Sequence, residues 1–369
     1  MRERVKYDEK TPILFNHKTF ETYDGNKKWT MSKEEENKIR YNIKSPYILV
    51  QTAKPIRNKT TGLMVTLSIE EEYKQFIKTA DVLKVESKGM INLYKTGNLY
   101  STSLSLFDRL TKFINPEPIL QDEAEWIKSS SFGALIWAEE YEGELFQYDV
   151  KSLYPSLMMS NTLKFPVKRG EFKHIEKFNE FFEFGIYRCV IKKSEDPNIN
   201  KLFKFKYQHY TSIDLNNAKK LGLEIELIQD GKPNFLYYSG DKTVKFSEVF
   251  KLFINILFPI KDNKDIQDKF IISNTKQILT MLWGALSETD KRKQYIQNTF
   301  RLDDDEEICE IYPSSDGTSH IIKSTKINAY YKTPFARLCP FLISQGRKHM
   351  SELLFEHKEH IHRILTDGF

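Results

Sequence analysis

The sequence predicts an α+β fold spread over two or three domain-sized units. Three observations carry this. The 369 residues are enough for more than one core. Short stretches such as 185–192 alternate apolar with polar residues at the period of a strand. Two amphipathic helices are expected, over 246–258 and about 267–287, the second with Ile272, Leu279, Leu282 and Leu286 on one face.

Composition narrows the class. Hydrophobic residues make up 40% and aromatic residues 13%, which leaves too much apolar surface for a disordered chain. Charged residues are 29%, as expected of a soluble, folded protein. The formal net charge of +5 and pI near 8.7 are compatible with phosphate binding and say little more. Cys189, Cys309 and Cys339 are far apart, so neither a CxxC zinc site nor a disulfide framework is indicated. No apolar run reaches membrane-spanning length, and the start has no hydrophobic signal core, so an intracellular protein with no membrane partner is expected. Mitochondrial import stays open, with Asp8 and Glu9 counting against it; nuclear, cytoplasmic and viral-element origins are not distinguished.

In chain order, residues 1–90 are polar and lysine-rich, with a charged run at 33–38. Strands around a turn at 58–62 are expected within 48–65, then a helix at 69–78, a turn at 94–97 and a helix from about 102 to 113. Pro116 and Pro118 mark a domain boundary. A short helix at 123–128 precedes two strands, 134–138 and 144–150, joined by a turn at Tyr141-Glu142-Gly143. A helix at 213–221 stopped by Gly222 and a strand at 224–229 follow. Residues 303–307 are an acidic loop or edge, 335–358 a long helix and 360–366 a strand.

The run Asp149-Val150-Lys151-Ser152-Leu153-Tyr154-Pro155-Ser156 is a strand ending on a carboxylate, then a tight turn. A carboxylate at a strand end can hold Mg²⁺, which prefers oxygen ligands and keeps several waters. Asp149 as a helix cap is the blander reading. Pro155 biases Tyr154 toward an extended backbone. The run resembles motif A of the family B DNA polymerases, Asp-x-x-Ser-Leu-Tyr-Pro-Ser. A chance match to its six specified residues has a probability on the order of 10⁻⁵. The resemblance implies that Asp149 holds both catalytic metals, that Ser152 and Leu153 lie along the nucleotide triphosphate, and that Tyr154 excludes a 2′-hydroxyl.

Lys276-Gln277-Ile278-Leu279-Thr280-Met281-Leu282-Trp283-Gly284 resembles motif B, Lys-x-x-x-Asn-Ser-x-Tyr-Gly. Lys276, Thr280 and Trp283 share a helix face away from the apolar stripe. The resemblance gives Lys276 to the triphosphate, Thr280 and Trp283 to the nascent base pair and Gly284 to DNA. Thr280 and Met281 depart from Asn-Ser, and Trp283 replaces Tyr. Residues 362–368 stand where motif C, Tyr-x-Asp-Thr-Asp-Ser, is expected; Asp367 matches its second Asp and Leu365 replaces its first. Taken alone, Thr366-Asp367-Gly368 is a hairpin turn. Gln345-Gly346-Arg347 resembles the helix before motif C. Phe132-Gly133-Ala134 resembles the junction ahead of the polymerase domain, which gives Gly133 and Ala134 to the template strand, with Ser131 in place of Tyr.

The expected architecture is then a right-hand palm, an antiparallel sheet with helices, at 123–244 and 300–369, and a helical-hairpin fingers region at 245–299. Residues 1–122 are expected to be an α/β exonuclease remnant without proofreading residues. The expected chain is truncated at motif C, without a thumb. The implied function is template-directed DNA synthesis with two Mg²⁺, held by Asp149 and Asp367, on a DNA primer–template with deoxynucleoside triphosphates. The compact, protein-primed kind is closest in look, so a terminal priming protein is a possible partner. The alternatives are an inactive nucleic-acid-binding derivative and an unrelated α+β binding protein.

Overall fold

In the computed structural model, the structure describes residues 8–40, 42, 44–52, 56–57, 64–296, 301–313, 320–327 and 329–369. The chain divides into two compact units, residues 1–112 with 252–282, and residues 113–251 with 283–369.

The first unit holds a four-stranded sheet in the order Lys28–Thr30, Glu21–Tyr23, Thr11–Phe15, Tyr47–Gln51. Its last pair is parallel and the others antiparallel. Thr11–Phe15 buries four consecutive residues, as a strand covered on both faces must. The helix expected at 69–78 runs over Ile69–Glu86. Ser68 starts it with a capping box, its hydroxyl accepting the Glu71 N–H while the Glu71 carboxylate accepts the Ser68 N–H. Residues 94–97 are not a plain turn. Leu93–Thr96 is one helical turn closed by Gly97 in the left-handed region, and Asn98 then caps the helix Leu99–Leu110, three residues earlier than expected. This helix packs Phe107 against Phe253, and the Ser103 hydroxyl donates to the Ile278 carbonyl. The turn expected at 58–62 lies outside the described residues.

The second unit is built on an antiparallel sheet. Gly185–Ile191 is its centre, flanked by His209–Thr211 and Phe235–Tyr237, with Glu171–Lys173 beyond the latter. Ile225–Leu227 pairs with the far end of the central strand. Gly185 is required here, because a Cβ on it would lie 2.2 Å from the Leu236 carbonyl oxygen. Helices Ser212–Lys220 and Leu338–Leu354 bury their apolar residues in one core with this sheet, including Tyr187, Cys189, Leu215, Ala218, Phe235, Met350 and Leu354. The helix expected over 335–358 is α-helical only over Leu338–Leu354, with 3₁₀ turns at Pro334–Arg337 and Phe355–His360. A separate three-stranded sheet has the order Lys291–Ile296, His320–Lys326, Glu306–Pro313.

Two local expectations are corrected. The strand Ile136–Ala138 pairs with Arg363–Leu365, setting Trp137 opposite Ile364, rather than with 144–150. Residues 139–149 are exposed, and of the expected second strand only Asp149 makes a bridge. A hairpin there would have set Glu140 across from Glu144, and like charges across a ladder are unfavourable. Tyr154 is also not extended; it lies in the first turn of the helix Leu153–Met158. Pro155 is tolerated because the first-turn N–H groups have no intrahelical partner to lose.

Candidate active site

The exposed segment before Asp149 ends against the last residues of the chain. Tyr148 and Phe369 exchange backbone hydrogen bonds of 2.8 and 3.0 Å, and the Val150 N–H donates to the Asp367 carbonyl at 2.8 Å. Asp149 thereby forms an antiparallel bridge with Gly368. Leu365 and Gly368 also exchange two backbone bonds, of 2.8 and 3.0 Å, closing a hairpin turn with Thr366 and Asp367 at its tip. Thr366 has φ 65°, left-handed and costly for a β-branched residue, and its N–H is held by the Leu135 carbonyl at 3.0 Å. A methyl group on Gly368 would lie 3.6 Å from Asp149 Oδ1, so the carboxylate lies close to that glycine. The structure thus sets Asp149 and Asp367 on adjoining backbone segments.

Beyond Asp149 the chain turns sharply. Ser152, at φ 59°, starts the helix, its carbonyl accepting the Ser156 N–H at 3.0 Å and hydroxyl at 2.9 Å. Leu153 is buried in the core below. Tyr154 is left half-buried, its ring stacked on Trp283 with centroids 5.8 Å apart and planes at 26°. Its tip meets Gly346 on the long helix. Burial pushes the Tyr154 phenol up to about 12; nearby Arg347 opposes this, and the Asp367 carboxylate adds to it.

Arg347 is a residue whose role sequence reasoning missed. Its guanidinium is buried, with Nε and Nη2 within 3.1 Å of the Asp214 carboxylate. Its Nη1 donates to the Phe132 carbonyl at 2.6 Å and the Gly133 carbonyl at 3.1 Å. The guanidinium also lies over the Phe132 ring, 4.0 Å from its centroid. Lys204 Nζ donates to the carbonyls of Gly133 and Ala134 at 3.3 and 3.0 Å. The junction carbonyls are therefore occupied from within, and Gly133 itself is exposed. No local signal marks Arg347, because its partner Asp214 is remote in sequence.

The motif B residues lie on the helix Lys269–Leu286. Ile271, Thr275, Ile278, Leu279 and Leu282 are buried on one side. Lys276, Thr280 and Gly284 are exposed and Trp283 is half-buried. The Thr280 hydroxyl donates to the Lys276 carbonyl at 3.0 Å. The division between the two units falls in this helix, after Leu282.

Among the described residues, no group of three or more His, Cys, Asp or Glu side chains is placed to hold a metal. Carboxylates on two adjoining segments offer oxygen donors, a chemistry that fits a hard cation that keeps much of its water. Also among the described residues, no helix is long and apolar enough to cross a membrane.

No curated protein and no solved structure matches the chain. The model of one family, DNA polymerase type B, organellar and viral, matches residues 5–335. Those residues are most of the sequence, and the chain belongs to the organellar and viral type B DNA polymerases.

Proposed function

We propose that this site performs template-directed DNA synthesis, transferring a nucleotidyl group from a deoxynucleoside triphosphate to a primer 3′-hydroxyl. The observation that supports the reading is the backbone pairing of 148–150 with 367–369, which joins the segments carrying Asp149 and Asp367, with the Asp367 carboxylate close enough to Tyr154 to act on its phenol. Asp367 lies beyond the span matched by the family, so its assignment rests on this geometry.

In the reaction the 3′-oxygen bonds to the α-phosphorus, the bond to the bridging oxygen breaks, pyrophosphate leaves and the hydroxyl proton passes to solvent. Divalent cations such as two Mg²⁺, held by Asp149 and Asp367, would supply charge neutralisation and a more acidic 3′-hydroxyl. The chain's own residues position the reactants. Ser152 and Leu153 offer a tightly turned backbone to the phosphates. Tyr154 presents its ring beneath the sugar. Lys276 adds a point charge for the triphosphate. Thr280 and Trp283 face the nascent pair, while Gly133, Ala134 and Gly284 lie along DNA. Palm at 123–244 and 300–369, fingers at 245–299, an exonuclease remnant at 1–122 and a terminal priming protein as partner belong to the same proposal.

The test is primer extension with Mg²⁺ and four deoxynucleotides. Asp149→Ala and Asp367→Ala should each lower the rate on the order of 10³-fold, since several kcal/mol of charge stabilisation is removed. Wild-type protein that binds primer–template but never extends it would leave only a binding function.

A further inference from the structure

Gly346 lies in the middle of the long helix Leu338–Leu354 and is buried. Its φ is not positive, so the backbone does not call for glycine there. Relative to alanine, a glycine inside a helix costs about 1 kcal/mol. The compensation is visible at the Tyr154 ring. A Cβ built on Gly346 would lie 3.1 Å from Cε1 and 3.1 Å from Oη of Tyr154, and 3.3 Å from Cζ. Trp283 lies over one face of the ring, with centroids 5.8 Å apart, and limits its movement on that side. Nor can the glycine readily move. The next residue, Arg347, is locked to Asp214 and to the Phe132 and Gly133 carbonyls.

We propose that Gly346 is a positioning residue for sugar selection: its bare Cα is the seat of the Tyr154 ring tip and sets how far that ring projects toward the nucleotide sugar. This rests on the polymerase reading given above. Any side chain at 346 lifts the ring tip by a few tenths of an ångström into the space the sugar needs. Deoxynucleotides then bind less well, and ribonucleotides gain nothing.

The experiment is single-nucleotide insertion by wild type, Gly346→Ala, Tyr154→Ala and the double variant, with matched deoxy- and ribonucleotides. Gly346→Ala should raise KM for the deoxynucleotide roughly tenfold, as expected for a small misplacement of a positioning group, with kcat largely kept. In the Tyr154→Ala background the same substitution should change KM by less than about twofold. An equal loss in both backgrounds would overturn the proposal, because the effect would not pass through the ring.

A second arm needs no catalysis. The near-ultraviolet circular dichroism of Trp283, taken as the difference between each protein and its Trp283→Phe partner, should shift on Gly346→Ala. It should not shift when Tyr154 is already alanine. An unchanged Trp283 signal sinks the inference even if the enzyme is active. A shifted signal in a protein that extends no primer sinks the polymerase reading and leaves the seat standing. Should Gly346→Ala fail to fold, the Gly346→Ala/Tyr154→Leu protein decides: recovery of a cooperative melt supports the seat, and its absence refutes it.

Discussion

Single side chains do much of the positioning here. Arg337 and Glu123 are a fully buried pair, each with 0% of its side chain exposed. The guanidinium also donates to the carbonyls of Glu117 and Pro118, and the carboxylate accepts the Tyr238 hydroxyl. Arg337→Ala would strand a buried carboxylate and two carbonyls. A loss of about 3–5 kcal/mol is expected, read from the urea midpoint. His209 supplies a pH dependence. Burial, with Arg188 adding, pushes its pKa down to about 4 in the folded protein, from an unfolded value near 6.5. The unfolded chain therefore binds the proton first. The stabilisation is complete above pH ~6.5 and falls as the pH drops toward 4, by at most about 1.4 kcal/mol per pH unit. Thermal melts of wild type should lose more over that window than melts of His209→Phe; parallel curves would exclude it. Of these residues only the local ones were legible. Asp149 to Ser156 lie together in the sequence and declare themselves. Gly346, Arg347 with Asp214, and Arg337 with Glu123 take their meaning from partners far along the chain, which no local pattern contains.

Among secondary-structure elements, length decided what could be read. The helices Phe246–Lys261 and Lys269–Leu286 repeat their apolar residues often enough to show a helical period. Strands of three residues, such as Lys164–Pro166, Glu171–Lys173 and Phe235–Tyr237, are too short for a period of two to register. The acidic stretch at 303–307 runs into the edge strand Glu306–Pro313. Lysines brought from other strands meet Asp305 of that stretch and Glu310 of the strand: Lys326 on Asp305, and Lys291 and Lys323 on Glu310. Caps were the other hidden feature, since Ser68 and Asn98 define helix starts by hydrogen bonds rather than by hydrophobicity. Ser68→Ala removes half of a capping box and should cost about 1 kcal/mol, seen as a lower Tm with an unchanged fold. No change in Tm would mean that the first turn is held from elsewhere.

For the whole molecule, the two compact units are not successive in sequence. Residues 252–282 belong with residues 1–112. Phe107 packs on Phe253 and Ser103 donates to Ile278 within that unit. A fragment of residues 1–112 alone lacks both partners and should melt without a cooperative transition. A sharp transition in that fragment would show that the first unit is self-sufficient. The first division falls after Lys112, and nothing local announces that a later segment returns. The same topology reaches the carboxylates. Asp149 leaves the ribosome long before Asp367 has been joined to the chain, and the pairing of 136–138 with 363–365 and of 148–150 with 367–369 brings their segments together. For most of its translation the nascent protein holds Asp149 without that pairing. A product released early, by a stall or a broken message, therefore lacks the segment that pairs with 148–150 and cannot seat Asp149 as the full chain does.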